Sequence, residues 1–93
     1  MRLLETLTQE AIDSGEIVQV NPSQTLDAHV HPCTEYMVVL QGEIELALRQ
    51  PKIGWWYRKI CSRGECYEIH PCWVHTVTNL SADSDAIVQR FYQ

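Results

Sequence analysis

Positive charge is scarce in this chain: Lys and Arg number 7 against 12 Asp and Glu, and the formal net charge is -5. A nucleic-acid partner needs a basic face for its phosphates, so this balance argues against one. It argues equally against a polybasic membrane-surface role. Long apolar runs are missing too, since none reaches the roughly 18 residues that a membrane-spanning helix needs. The first residues, Met1-Arg2-Leu3-Leu4-Glu5-Thr6, form no uninterrupted apolar stretch of the secretory kind, so the expected compartment is the cytoplasm. No two of the four cysteines stand in a CxxC pair, which removes the usual thiolate zinc knot. In a reducing compartment Cys33, Cys61, Cys66 and Cys72 are expected as small packing residues, although Cys61 and Cys66 flank a turn across which they could face each other.

What is present is a globular balance: 93 residues, 45% hydrophobic and 20% charged. That fits one folded domain spanning 1–93, small enough that a metal, disulfides or oligomerisation would add useful stability. Thr6 and Gln9 have capping-box spacing, and Ser14-Gly15 supplies a stop, so a short helix is predicted from Thr6 to Ile12. After it the period changes to two. Strands are predicted over 16–20, 25–30, 34–40, 43–49, 55–60, 66–69, 74–78 and 86–92, separated by Asn, Pro, Gly and Ser clusters. The clearest sets Ile44, Leu46 and Leu48 on one face against Glu43, Glu45 and Arg49 on the other. Many short strands at regular spacing predict an all-β, closed or sandwiched architecture.

The chemistry concentrates in two segments. The first is His29-Val30-His31-Pro32-Cys33-Thr34-Glu35, in which an extended chain would point both histidines the same way and Glu35 could face them from a neighbouring strand. The second is Trp73-Val74-His75-Thr76-Val77-Thr78-Asn79. Three imidazoles and one carboxylate suit a first-row transition metal. Cys33 and Cys72 sit inside or beside these segments and are candidates for the surroundings of the metal, as is His70, whose parity opposes that of Ile69 and therefore points it outward. Met37 shares the face of Glu35 and would continue the lining below it. Trp55, Trp56, Tyr67 and Trp73 could line a pocket for a small organic substrate, against the plainer role of core or interface packing. Arg49, Lys52, Arg58, Lys59 and Arg63 could steer an anion, or simply solvate a β surface.

His29-x-His31-x-x-x-Glu35 followed by Gly42 resembles the first motif of the cupin superfamily, and Gly64, Pro71, His75 and Asn79 resemble the second. The motifs span 29–42 and 64–79, in the family's order, as in a small single-domain cupin. The second departs from the pattern: His70 stands where cupins usually carry proline, and Cys72 where they usually carry glycine. A different backbone path is expected there, because cysteine tolerates positive φ less well than glycine. The resemblance implies a double-stranded β-helix, or jelly-roll barrel. In its mouth His29, His31, Glu35 and His75 would bind one divalent ion of Fe, Mn, Ni, Co, Cu or Zn, with two coordination positions left for ligand. Gly42 and Asn79 would be turn and structural residues. The family includes dioxygenases, decarboxylases and isomerases. The first functional expectation is therefore a metal-dependent oxygenase or oxidoreductase on a small chelating acid, diol or phenol, with Glu35 as a candidate acid-base group. The second is a non-catalytic, metal-stabilised module that binds or senses a small molecule. A homodimer is expected through the aromatic run Trp55-Trp56-Tyr57.

Overall fold

The computed structural model describes residues 15–50, 52 and 54–92, with the backbone alone at 27–29. The helix expected from Thr6 to Ile12 lies outside the described residues. Within them the chain forms eight strands: β1 (Glu16–Val20), β2 (Thr25–His29), β3 (Glu35–Gln41), β4 (Glu43–Arg49), β5 (Trp56–Ser62), β6 (Cys66–Ile69), β7 (Val74–Asn79) and β8 (Ala86–Tyr92). These are the strands that period-two alternation predicts, with ends displaced by one or two residues.

The strands build two four-stranded antiparallel sheets, ordered β1-β8-β3-β6 and β2-β7-β4-β5. Only β4 and β5 are both consecutive and adjacent; every other connection crosses from one sheet to the other. This is the jelly-roll order, and it gives each sheet one inner face. Met37 and Val39 of β3, Ile44 and Leu46 of β4, Cys61 of β5, Ile69 of β6, Val77 of β7, Ala86 and Val88 of β8 and Val20 of β1 form one buried cluster between the sheets. Burial of this apolar surface is the main favourable term of the fold. Tyr36 and Phe91, paired in the β3–β8 ladder, make a second, smaller cluster. At the open edge of the second sheet β5 carries its side chains outside, and only Cys61 in it is buried.

One end of the sandwich is closed by Asn79. Its side-chain amide donates to the carbonyls of Val20 at 3.0 Å and Ser84 at 2.7 Å, and its Oδ1 accepts from the Ser81 N–H at 2.9 Å. Its own backbone N–H donates to Gln24 at 2.9 Å. A single buried residue thus ties the ends of β1 and β7 to the connections before β2 and β8. Beside it the β3–β4 turn requires Gly42, which has φ 82° and where a Cβ would lie 3.2 Å from Ala86. Replacing Asn79 by Ala leaves the Val20 and Ser84 carbonyls without that donor. Urea denaturation is expected to register a loss of about 2 kcal/mol, the usual order for stranding buried polar groups. A loss below about 0.5 kcal/mol, the range of ordinary surface changes, would contradict the closing role.

Candidate metal centre

At the other end of the sandwich the inner faces carry polar groups instead of apolar ones. β3 begins at Glu35, which shares its buried face with Met37 and Val39, and only 1% of Glu35 is exposed. β7 buries His75, Val77 and Asn79 on one face, and His75 is likewise 1% exposed. The two strands belong to opposite sheets, so the carboxylate and the imidazole approach across the interior. Glu35 therefore faces His75 from the facing sheet, not from an adjoining strand.

His31 arrives by a different route. β2 stops at His29, and His31 lies on the connection to β3, so the shared strand face expected for positions 29 and 31 does not exist. Pro32, with no N–H to give to a ladder, accounts for the early end. The connection brings His31 Nε2 to 3.3 Å from Glu35 Oε1, while His75 Nε2 lies 3.4 Å from the same oxygen. One ligand atom from each of His31, Glu35 and His75 falls within 4.8 Å of the others, the only such group of metal-binding side chains among the described residues. His75 Nδ1 faces the Trp73 carbonyl at 3.4 Å, and its Nε2 is turned inward toward Glu35.

Both Glu35 carboxylate oxygens are buried and accept no hydrogen bond among the described residues. Burial alone pushes its pKa up. The contact and charge of His75, with the charges of Arg90 and His31, outweigh this and hold the carboxyl below the ordinary range. A buried carboxylate facing two imidazole nitrogens is a set of groups that suits a divalent cation. The donor set therefore fits a metal.

The side chain of His29 lies outside what is described, but its backbone does not. The β2–β7 ladder pairs Thr25 with Thr78 and Leu26 with Val77, then shifts register so that His29 pairs with His75. Regular pairing would have set Ala28 opposite His75, and the one-residue bulge brings His29 there instead.

Of the other candidates, Met37 is fully buried on the face of Glu35, and Tyr67 is its ladder neighbour on β6. The Tyr67 hydroxyl donates to Glu65 at 3.3 Å, and burial, aided by Cys61 and Glu65, pushes its phenol up to about 12. Trp73 is half-buried and stacked on Tyr57, with ring centroids 6.4 Å apart. Trp55 and Trp56 are exposed, and Arg49 covers the Trp56 ring. The cationic run is engaged locally as well, with Arg58 on Glu45 at 2.9 Å and Lys59 over Tyr67. His70 is exposed, beside Glu68 and Trp73. Cys33 is half-buried and Cys72 exposed, and all four cysteines are free thiols.

Cys72 nevertheless bears on the site through its backbone. His70, Pro71, Cys72 and Trp73 form a turn closed by the Trp73 N–H on the His70 carbonyl, with proline at its second position and Cys72 at φ 66°. That is the type II signature, which favours glycine at the third position. Cysteine here adopts the left-handed conformation that its residue type disfavours. Its N–H donates to the His31 carbonyl at 2.8 Å.

Tyr92 is a site residue that sequence reasoning missed. It is the ladder partner of Glu35 on β8, and its ring meets His31 edge-on at 5.1 Å. Burial, then the charge of Glu35, pushes its phenol up, so it stays a neutral hydroxyl. The pairing of β8 with β3, which no local pattern reveals, is the signal that finds it.

No known protein-family model matches the chain, and no curated protein matches it. Solved structures do. The Drosophila melanogaster CENP-C cupin domain in its complex with CAL1 aligns with TM-score 0.80 at 11% identity, covering 85% of this chain and 63% of that one. Oxalate oxidase in complex with glycolate aligns with TM-score 0.78 at 22% identity, covering 84% of this chain and 40% of that one. The chain therefore spans less than two thirds of the length of either neighbour, and identities this low establish the fold alone.

Cys72→Gly is expected to relieve the positive-φ strain, which costs an L-residue about 1–2 kcal/mol. Against this stands an unfolded-state penalty of about 0.4–1 kcal/mol for the added glycine. A net gain of about 0–1.6 kcal/mol in urea denaturation follows from the difference of the two terms. A loss of stability would show that the cysteine side chain supports the turn.

Proposed function

We propose that this chain, a cupin by fold, binds one divalent first-row metal through His29, His31, Glu35 and His75, and acts as an oxygenase or oxidoreductase on a small chelating organic acid, diol or phenol. One observation carries the reading: a buried carboxylate faced by two imidazole Nε2 atoms, with one ligand atom of each residue within 4.8 Å of the others. His29 joins the set on its register opposite His75. Four ligands on a six-coordinate ion leave two positions for a chelator, and such an ion supplies Lewis acidity and, as Fe, Mn or Cu, one-electron chemistry. The chain's own contribution is to hold the ligand set, exclude water with Met37 and Ile69, and keep Glu35 ready to accept a proton. Oxalate oxidase of the same fold, solved with the substrate analogue glycolate, supports a small acid as the substrate class.

A second reading is a non-catalytic binding module, favoured by the CENP-C cupin domain, which is solved bound to the protein CAL1. The two readings separate by experiment. Elemental analysis is expected to give about one metal per chain, as four ligands in one cluster require. His31→Ala combined with His75→Ala is expected to abolish it, and unchanged metal content would remove both readings. Oxygen uptake with glycolate, oxalate and catechol on Fe(II)-, Mn(II)- and Cu(II)-loaded protein then tests catalysis. Absence of uptake at full occupancy would leave the binding module.

The chain is further proposed to form a homodimer through the β5 edge, where Trp55, Trp56, Tyr57 and Ile60 are exposed, Trp55 by 70%. Sedimentation velocity is expected to show a dimer that Trp55→Ser with Tyr57→Ser weakens. A monomer at micromolar concentration would contradict the assignment.

A further inference from the structure

We infer that Tyr92 is a positioning residue of the metal centre, whose aromatic ring sets the orientation of His31. The inference rests on His31 being a ligand, as proposed above, and goes beyond it by assigning what aims that ligand.

The three described ligands are held in unequal ways. Glu35 is fixed by ladders on both sides, paired with Ile69 of β6 and Tyr92 of β8. His75 is fixed likewise, paired with His29 of β2 and Leu48 of β4. His31 sits on the connection between β2 and β3, where no strand pairing sets the direction of its side chain. Within the cluster it meets Glu35 Oε1 at 3.3 Å and the His75 ring at 5.6 Å, and two further contacts reach it from outside. Its carbonyl accepts the Cys72 N–H at 2.8 Å, which places the backbone. Its ring meets Tyr92 at 5.1 Å with the planes inclined at 69°, an edge-to-face contact, which sets the rotation of the imidazole.

Tyr92 is suited to this task by its register. Directly opposed residues of an antiparallel pair present their side chains on the same face, so Tyr92 stands beside Glu35 on the inner face of the first sheet. The ring that aims His31 is therefore carried at the same register position as the carboxylate that His31 must meet. A displacement of β8 against β3 would disturb the ring and the carboxylate together. The structure thus links a ligand on a loop to the ladder that holds a ligand on a strand, and what does so is the ring rather than the hydroxyl.

Co(II) titration of the full chain, with competition by a chromophoric chelator and the visible absorption of the bound ion as readout, tests this. Tyr92→Phe keeps the ring and is expected to bind Co(II) within about twofold of wild type with an unchanged spectrum. Tyr92→Leu is expected to weaken binding about tenfold, the order found when a partner that orients a ligand is lost, and to alter the visible band. In a His31→Ala background Tyr92→Leu is expected to have no further effect. Circular dichroism of the metal-free variants checks folding, and Tyr92→Met replaces Tyr92→Leu in the same titration if the latter does not fold. Wild-type affinity and spectrum in Tyr92→Leu or its replacement, with binding still lost in His31→Ala, would overturn the positioning role and leave the metal reading standing. Loss in Tyr92→Phe equal to that in Tyr92→Leu would also overturn it, by moving the role to the hydroxyl. If wild type binds no Co(II), or His31→Ala binds it equally well, the metal reading itself fails and the inference with it.

Discussion

A carboxylate taken out of water must find hydrogen-bond donors, a counter-charge or a proton, and Glu35 has been taken out of water completely. Its partners are the two imidazoles that come to within 3.4 Å of one oxygen. Satisfying it takes contributions from both sheets: Glu35 stands on the first, His75 on the second, and His31 on the connection that joins them. The apolar cluster below is continuous and would pack equally well with other hydrophobic residues at the mouth. The mouth is where the sandwich accepts a cost, and a cation there both offsets that cost and bridges the sheets. Metal binding in such a place becomes part of the folding free energy.

The opposite end shows how the same sandwich handles buried polarity when no cation is called for. Asn79 is as buried as Glu35, yet its side chain has its partners in the chain itself, two carbonyls and one N–H. His75 and Asn79 lie four residues apart on one face of β7, so a single strand carries both an imidazole turned toward Glu35 and an amide whose polarity is used within its own end of the sandwich. The contrast separates function from structure better than burial does, since all three residues are nearly inaccessible. Glu35 instead faces the two imidazole nitrogens at 3.3 and 3.4 Å, and that difference is what singles it out as a candidate for cation binding.

The strands were legible because alternation is a local signal: Ile44, Leu46 and Leu48 against Glu43, Glu45 and Arg49 need no knowledge of the rest of the chain. Glu35 and His75 were legible for the related reason that both sit on strands whose parity can be counted. His31 does fall in the cluster, but the parity argument that pointed to it does not apply, since it lies off the strand. The bulge in β2, which sets His29 against His75, depends on strand pairing and leaves no mark in the residues themselves. Tyr92 was missed on the same account: it joins the site only because β8, more than fifty positions along the chain, lies against β3. At Cys72 the residue type pointed away from the conformation that the turn imposes. Proline at position 71 and the closing Trp73 N–H outweighed the preference of one side chain.

The arrangement also bears on what the centre can do. A ligand held by ladders on both sides cannot leave a metal without disturbing two sheets, whereas a ligand on a connection can turn at lower cost. Glu35 and His75 belong to the first kind and His31 to the second. In the centre proposed above, room for a chelator would therefore be made most cheaply on the side of His31, where Tyr92 stands half-buried. Trp73 and Tyr57 stack together near Leu48, the ladder partner of both Tyr57 and His75. In the proposed centre the freedom to move thus belongs to the connection that carries His31, and this follows from which of the three residues the ladders hold.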